Sequence, residues 1–562
     1  MQLSEQEIIR REKLDKLREL GINPYPADLY PVDHTSKQVK EAFKEGKKVV
    51  IAGRLMSMRV QGKASFAQLQ DSEGKVQVYF NRDEICQGED KTKYNEVFKK
   101  LLDFGDFIGI EGELFTTQVG EKSVRVKDFT ILSKSLKPLP LPKEKDGIVY
   151  DAFTDPEQRY RQRYADLVVN PHVKEVFVKR TKLFNAMRQF FNNAGYFEVE
   201  TPVLQPIPGG AAARPFVTHH NSLDIPLYMR IANELYLKRL IVGGFDGVYE
   251  FSKNFRNEGM DRTHNPEFTA MEIYVAYKDY NWMMDFCEQL LEYCAKAVNG
   301  TTEATFGNYK IDFKAPYARV TMADSIKQFT GFDITGKTED EIRKAAKDMG
   351  IAVDDTMGKG KLIDEIFGEK CEGNYIQPTF ITDYPKEMSP LCKEHRENPE
   401  LTERFELMVC GKEIANAYSE LNDPIDQRER FEHQMELAKK GDDEATGIID
   451  YDFLRALEYG MPPTSGMGIG MDRLVMFLTN NQSIQEVLFF PQMKPEKKAV
   501  ALTEEEKAVL TLLKAGSPID LNVLKQQSGL SNKKWDTTIK GLTKHKLAKV
   551  SKTEEGLLVE LI

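Results

Sequence analysis

The sequence predicts an α+β chain of several domains, and three observations carry that expectation. Residues 48–136 hold five short runs of alternating apolar residues, with one helical stretch before the fourth. Residues 160–497 form a larger unit in which a long amphipathic helix, extended segments and a glycine-rich strand entering a helix follow one another. From residue 498 onward, helical stretches give way to two extended ones. A chain of 562 residues has room for about three to five domains, each with its own core.

Taken in order, residues 1–47 are a lead-in whose main element is a helix over 4–20. Ser4 with Glu7 makes a capping box, Ile8, Ile9, Leu14, Leu17 and Leu20 recur as its apolar positions, and Gly21 followed by Pro24 ends it. VVIAGRLMSMRV, ASFAQLQD, KVQVYF, DFIGIEGELF and SVRVKDFTIL then read as strands, and KYNEVFKKLL as a helix between the third and fourth. That is the pattern of an OB-fold, a small barrel used to bind single-stranded nucleic acid or oligosaccharide. KPLPLPKEKDG opens a stiff, proline-rich linker over 137–159. Inside the unit 160–497, residues from about 338 to 375 read as an inserted helical lobe. In the extension 498–562, Thr503 and Glu506 cap a helix through Leu513. LNVLKQQSGL and KKWDTTIKGLTKH continue as helices and KLAKVSKTEEGLLVELI as a two-stranded wing, the order of a winged helix. Its lysines suit phosphate or water equally.

Composition narrows the function. With 41% hydrophobic and 30% charged residues the chain reads as soluble and globular. No apolar run reaches the roughly 18 residues of a membrane span, and MQLSEQEIIRREKLDKLREL lacks the core of a signal peptide, so the expected address is cytosolic. The net charge of -10 argues against coating nucleic acid by bulk electrostatics and leaves room for a local basic surface. The six cysteines form no CxxC pair and no zinc-type cluster, so neither a disulfide framework nor a zinc site is expected.

Unusual residues gather in three segments of the large unit. GYFEVETPVLQPIPGGAAARPF follows a long helix, about Val173 to Asn193, and turns extended at Pro202. VYEFSKNFRNEGMDRTHNPEFTAMEIYVAY reads as a strand carrying Arg256 and Glu258, a polar loop with His264, and a returning strand on which Phe268, Ala270, Glu272 and Tyr274 alternate. SGMGIGMDRLVMFLTN is a glycine-rich strand entering a helix with Arg473 in its first turn. Taken singly, Arg256 could be an exposed strand cation, and the glycines could serve only close packing.

In order and spacing these segments resemble motifs 1, 2 and 3 of the class II aminoacyl-tRNA synthetases. The preceding barrel fits subclass IIb, which contains the lysyl, aspartyl and asparaginyl enzymes. PGGAAARPF, THHNSLD, ELYLKRLIVGGFDGVYEFSKNFRNEG, HNPEFTAMEIYVAY and KEIANAYSELNDP together resemble the lysyl-tRNA synthetases over roughly residues 1–497. Asn233 stands where many relatives carry proline, and the departure is expected to touch no polar contact. The resemblance implies a class II catalytic domain built on an antiparallel sheet flanked by helices. It also implies a homodimer formed through the motif 1 region, and activation of L-lysine by ATP with Mg2+, several ions per site, before transfer to tRNA(Lys).

It further implies roles residue by residue. Arg256 would hold the α-phosphate and Arg473 the distal phosphates and one adenine face. Phe268 would stack on the other face, with Glu258 at the amino edge and His264 near the γ-phosphate. Glu406 and Glu413 match the metal-bearing positions. Glu272 and Glu420 would meet the lysine side-chain ammonium, helped by Tyr274, Asn416 and Tyr418, with Glu234 at the α-amino group and Gly210 allowing close backbone approach. On the barrel, Arg59, Phe66, Gln77 and Glu121 match anticodon-reading positions, although alternation in ASFAQLQ leaves Phe66 free to be barrel core. An aspartyl or asparaginyl specificity is opposed by the Glu272 and Glu420 pair, a protein-lysylating paralogue by the presence of the barrel, and a non-catalytic module by intact Arg256, Glu406, Glu413 and Arg473.

Glu406, Glu413 and Glu420 lie seven residues apart, a spacing that would suit one helix face. Gly411 and the period-two set Asn416, Tyr418 and Glu420 favour a hairpin instead, RFELMV against EIANAYSE around CGK. Strict alternation then turns Glu413 away from Asn416, so a bulge near Ile414 or Ala415, or a place for Glu413 in the turn, is expected.

Overall fold

The computed structural model describes residues 3–145, 148–150, 153–211, 213–354, 357–439, 448–496, 502–545, 547–553 and 556–561. The chain divides into two compact units, Met1–Gln492 and Met493–Ile562.

The first unit begins with helix α1, Glu5–Glu19, whose N-terminus carries the Ser4–Glu7 capping box. Strands β1 (Lys48–Gln61), β2 (Ala64–Gln70), β3 (Lys75–Asn81), β4 (Phe107–Thr116) and β5 (Lys122–Ser133) close into a barrel in the order β1-β2-β3-β5-β4. The inward positions of each alternating run, among them Ile51, Leu69, Val78, Phe80, Ile110 and Val126, fill it. The stretch between β3 and β4 is a π-helix, Lys93–Leu101, whose Phe98 stacks on Phe80 at 4.1 Å. Lys134 lies buried beside the barrel, enclosed by Asp103 (2.5 Å) and Asp106 (2.8 Å), and Lys13 of α1 adds a second cation on Asp103 at 2.6 Å. Within the expected linker, Lys143–Lys145 and Ile148–Tyr150 pair as a short antiparallel ribbon. Residues 146–147 and 151–152 of that expectation lie outside the described residues.

Helix α2, Pro171–Asn193, starts at a proline suited to a helix N-terminus and buries Phe177, Leu183, Met187 and Phe191. An eight-stranded sheet follows. Its strands are β6 (Phe197–Glu198), β7 (Gly247–Phe255), β8 (Glu267–Ala276), β9 (Ala318–Thr321), β10 (Thr379–Thr382), β11 (Arg404–Val409), β12 (Lys412–Ser419) and β13 (Thr464–Gly470). They lie in the order β9-β10-β11-β12-β13-β8-β7-β6, antiparallel through the middle and parallel only at the two edge pairs. Helix Tyr280–Asn299 and helix Met471–Thr479 cover one face through Met283, Cys287, Leu290, Leu474 and Phe477.

The lobe is wider than 338–375, because helix Met322–Thr330 joins helices Glu339–Asp348 and Lys359–Lys370 in one core of Ile326, Ile342, Ala346, Leu362 and Ile366. Among its described residues the second unit holds three helices, Glu504–Gly516, Leu521–Ser528 and Asn532–Lys544, around Val509, Leu513, Leu524 and Trp535. Its wing, Ala548–Thr553 with Gly556–Leu561, gains a third short strand at Ile519–Asp520. Among the described residues no helix is long and apolar enough to cross a membrane.

Candidate active site

The open face of the sheet is shaped by missing side chains. On β13, Gly468 stands between Glu272 of β8 and Asn416 of β12, and Gly466 between Tyr274 and Tyr418. Two polar pairs therefore face each other across a strand that adds no side chain at either level, leaving a trough. A Cβ on Gly466 would overlap both the Tyr274 ring and Glu420 Oε1, so those two groups converge above it. The trough opens into a cavity of about 1000 Å³.

Of the residues predicted for the ATP and lysine sites, all but Glu420 line that cavity. At one end Arg256 sits over the Phe268 ring, 5.1 Å from its centre, and its Nε is buried without a hydrogen-bond partner. Arg256 and Glu258 do not stand on the strand as expected. The β7–β8 ladder stops at Phe255 opposite Glu267, and both residues fall in the loop beyond. Arg473, in the first turn after β13, donates to the Glu413 carbonyl (2.8 Å) and lies 3.2 Å from His264 Nε2, whose other nitrogen meets Asp261 at 2.8 Å.

Glu406 and Glu413 reach the cavity from the hairpin. The β11–β12 register slips between Leu407 opposite Ala415 and Met408 opposite Glu413, so Ile414 is the extra residue of a bulge. The slip brings Glu413 to the face of Glu406 and Asn416. Arg404 donates to Glu406 at 2.6 Å. Burial first, and then the charge of Glu413, push the Glu406 carboxyl up to about 7. Two carboxylates in mutual repulsion beside a cationic wall suit a divalent cation. Among the described residues no set of three His, Cys, Asp or Glu side chains could hold one unaided, so phosphate and water oxygens would complete its shell.

The far end is acidic and buried. Glu234, Glu272 and Glu420 are 6%, 8% and 2% exposed. Tyr418 donates to Glu234 (2.6 Å) and Tyr274 to Glu272 (3.1 Å). Burial, then the charge of Glu234, push the Glu272 carboxyl up to about 8. Glu420 stands just past the end of β12 behind the Gly466 wall, paired with Lys238, and its Oε1 has no hydrogen-bond partner. Gly210 adopts φ +87, and a side chain there would press on Ala232 and Glu234.

Sequence reasoning missed two groups. Lys238 lies one helical turn after Glu234, where such a pair ordinarily marks a solvated face. Asn233 contradicts its expected lack of polar contact: Nδ2 donates to Glu250 at 2.9 Å, and its backbone hydrogen bond helps hold the Glu272 carboxylate. A proline would supply neither.

On the barrel, Arg59, Phe66 and Gln77 occupy neighbouring registers on the outer face, and Glu121 sits in the turn between β4 and β5. Phe66 is half-buried outside the barrel, since Ser65, Ala67 and Leu69 take the inward positions. It meets Tyr79 at 5.0 Å, Tyr79 meets Phe115 at 5.7 Å, and Arg125 covers Phe115 at 4.8 Å. The same alternation that exposes Gln77 exposes Tyr79, a signal present in KVQVYF.

Two family descriptions match the chain: "tRNA synthetases class II (D, K and N)" over residues 155–494, and "OB-fold nucleic acid binding domain" over residues 49–132. The chain is 78% identical to a protein named lysine--tRNA ligase from Christiangramia forsetii, over 100% of this chain and 98% of the relative. It is 69% identical to one of the same name from Porphyromonas gingivalis, over 91% of this chain and 89% of the relative. A third, from Azobacteroides pseudotrichonymphae, is 64% identical over 88% of this chain and 99% of the relative.

Proposed function

We propose that this chain, which belongs to the class II tRNA synthetases of the D, K and N group, is a lysine--tRNA ligase. It activates L-lysine with ATP to lysyl-adenylate and pyrophosphate, then transfers lysine to the 3' end of tRNA(Lys). Relatives of that name at 64% to 78% identity support the reading. The observation that carries it is one cavity with a cationic, aromatic end and a buried acidic end.

Activation needs a lysine carboxylate oxygen aligned behind the α-phosphorus while pyrophosphate leaves, so the protein's work is positioning and charge neutralisation. Arg256 is suited to the α-phosphate through its fixed fork of donors, and its unpaired Nε supports that role. Phe268 and Arg473 would enclose the adenine, with Glu258 at its amino edge and His264 toward the γ-phosphate. Glu406 and Glu413 would hold Mg2+, which when bound neutralises phosphate charge. Glu272 and Glu420 would pair with the side-chain ammonium, framed by Tyr274, Asn416 and Tyr418. Glu234 would take the α-amino group, and Gly210 leaves room for backbone contact. Anions at this end repel an aspartate side chain. Arg59, Phe66, Gln77 and Glu121 would read the anticodon by stacking and side-chain hydrogen bonds.

Exposed apolar residues after helix α2, Phe197 (59% exposed) and Val217 (63%) among them, support a homodimer through that region. Six unpaired thiols suit a cytoplasmic home. The test is amino-acid-dependent ATP–pyrophosphate exchange with lysine, aspartate and asparagine, followed by charging of mixed tRNA. Lysine alone should support exchange, and its failure to do so sinks the reading.

A further inference from the structure

Lys238 has no task in the reading above, yet it is placed at cost. It is fully buried on helix Glu234–Val242, 2.6 Å from Glu234 and in direct contact with Glu420. The Tyr418 ring lies 5.5 Å away on one side and the Phe453 ring 5.9 Å away on another. Burial works against its charge, but Glu234 and Glu420 outweigh burial and hold its pKa above that of an ordinary lysine. A Glu–Lys pair one turn apart stabilises a solvated helix by only about 0.2–0.5 kcal/mol, and needs no burial to do so. Lys238 is also absent from the cavity wall. It stands behind the carboxylates, as their partner.

Charge counting gives this placement a purpose. The acidic end holds three carboxylates, on Glu234, Glu272 and Glu420. The other groups around Lys238 add no charge at neutral pH: Tyr274, Tyr418 and Cys392 are all held neutral by burial. Glu250 is balanced by Arg230 at 2.7 Å, and Arg239, next in sequence, turns to Asp450 at 2.7 Å. With Lys238 in place and all three carboxylates ionised, as they would be around a bound cation, two negative charges are left over; in the empty pocket Glu272 holds a proton near neutral pH. A free lysine brings two ammonium groups.

We propose that Lys238 is a positioning residue of the amino-acid pocket, an internal ammonium that ties Glu234 to Glu420 and sets the pocket's residual charge to match the two ammonium groups of one free lysine. The idea rests on the cavity being a lysine site, which exchange by the wild-type enzyme tests separately. Without Lys238, three neighbouring carboxylates share too little positive charge, and a proton is held in addition to the one on Glu272.

The experiment is lysine-dependent pyrophosphate exchange by full-length K238M, with KM for lysine and for ATP measured from about pH 7 to about pH 8.5, where the ligand's side-chain ammonium stays charged. Near neutral pH the KM for lysine should rise on the order of thirtyfold or more, as expected when one partner of a buried charge pair is removed, with KM for ATP unchanged. That rise should shrink toward the alkaline end, because the trapped proton leaves. The variant's KM therefore depends on pH more steeply than that of wild type, where burial already raises Glu272 and Glu420 and Lys238 opposes the rise at Glu420. An unchanged KM for lysine, or equal rises in both KM values with no added pH dependence, overturns the proposal. K238M/E420Q removes Lys238 together with one of its two carboxylate partners and so restores the pocket's net charge, which covers the case in which the single variant does not fold. Its KM for lysine should stay raised while the added pH dependence disappears. A double variant with wild-type KM, or one that keeps the steep profile, overturns it as well.

Discussion

Among the described residues two lysines are wholly buried between pairs of carboxylates, Lys134 beside the barrel and Lys238 behind the cavity. The barrel cage is closed. Asp103 is shared with Lys13, and Asp106 accepts the backbone N–H groups of Asp103 and Ser135 at 2.7 Å each, so two cations meet two anions and the acceptors are filled. The cavity cage is open: one cation, held by Glu234 and Glu420, serves a cluster of three carboxyl groups, Glu420 Oε1 has no hydrogen-bond partner, and burial pushes the Glu272 carboxyl up to about 8. A balanced buried cluster is structure, while an unbalanced one is a site awaiting charge from outside.

Breaking the closed cage should have the largest effect, and on stability. Lys134→Met strands Asp103 and Asp106 and should cost about 3–5 kcal/mol in denaturant unfolding, with KM for lysine unchanged. If KM moved as well, the contrast between the cages would fail. Altering the open cage should do the reverse. Glu272→Gln should weaken lysine binding by about 2–4 kcal/mol, read from KM, and should stabilise the free protein. The sign follows from linkage. A carboxyl with a folded pKa of about 8 against an ordinary 4.5 keeps its proton in the folded state, so wild-type stability falls as pH rises between those values. The variant lacks that loss, and its thermal midpoint should exceed wild type most clearly near pH 8. The same linkage predicts that the wild-type affinity for lysine rises through about pH 8, with proton uptake by buffer measurable by calorimetry in buffers of different ionisation enthalpy.

A smaller change sharpens the geometry. Gly466→Ala places a methyl where Tyr274 and Glu420 converge. It should cost about 1–3 kcal/mol in kcat/KM for lysine, and binding of ATP alone should be spared. The smallest effect belongs to the solvated barrel face. Phe66→Ala removes one stacking surface worth about 1–3 kcal/mol per base, so charging should weaken through KM for tRNA.

Much of this was legible in the sequence because alternation and glycine placement are local signals. The barrel strands, the glycine-rich β13 and the hairpin bulge all follow from period-two counting. Phe66 was ambiguous because alternation says which residues share a face but not which face is inside. Barrel closure decides that, by giving Ala67 and Leu69 the interior. Arg256 and Glu258 were placed on a strand because nothing local marks where pairing stops. Lys238 was invisible for a deeper reason: a lysine four residues after a glutamate looks the same on paper whether water or two carboxylates surround it. Asn233 likewise took its meaning from Glu250 and Glu272, which reach it only in the folded chain.

The bulge at Ile414 turns a chemical requirement into a matter of length. In a ladder of period two, one inserted residue is a half-period change of phase, and it separates the tip of the hairpin from its base. Deleting Ile414 would leave an unbroken ladder with Glu413 still opposite Met408 and on the side of Asn416, whereas drawing Ile414 into the pairing at unchanged length would turn Glu413 to the far side of the sheet. A one-codon loss at this buried isoleucine should therefore keep Glu406 and Glu413 on one face, while a change that straightens the strand at full length parts them: the hairpin holds its two acidic groups together by count as much as by composition.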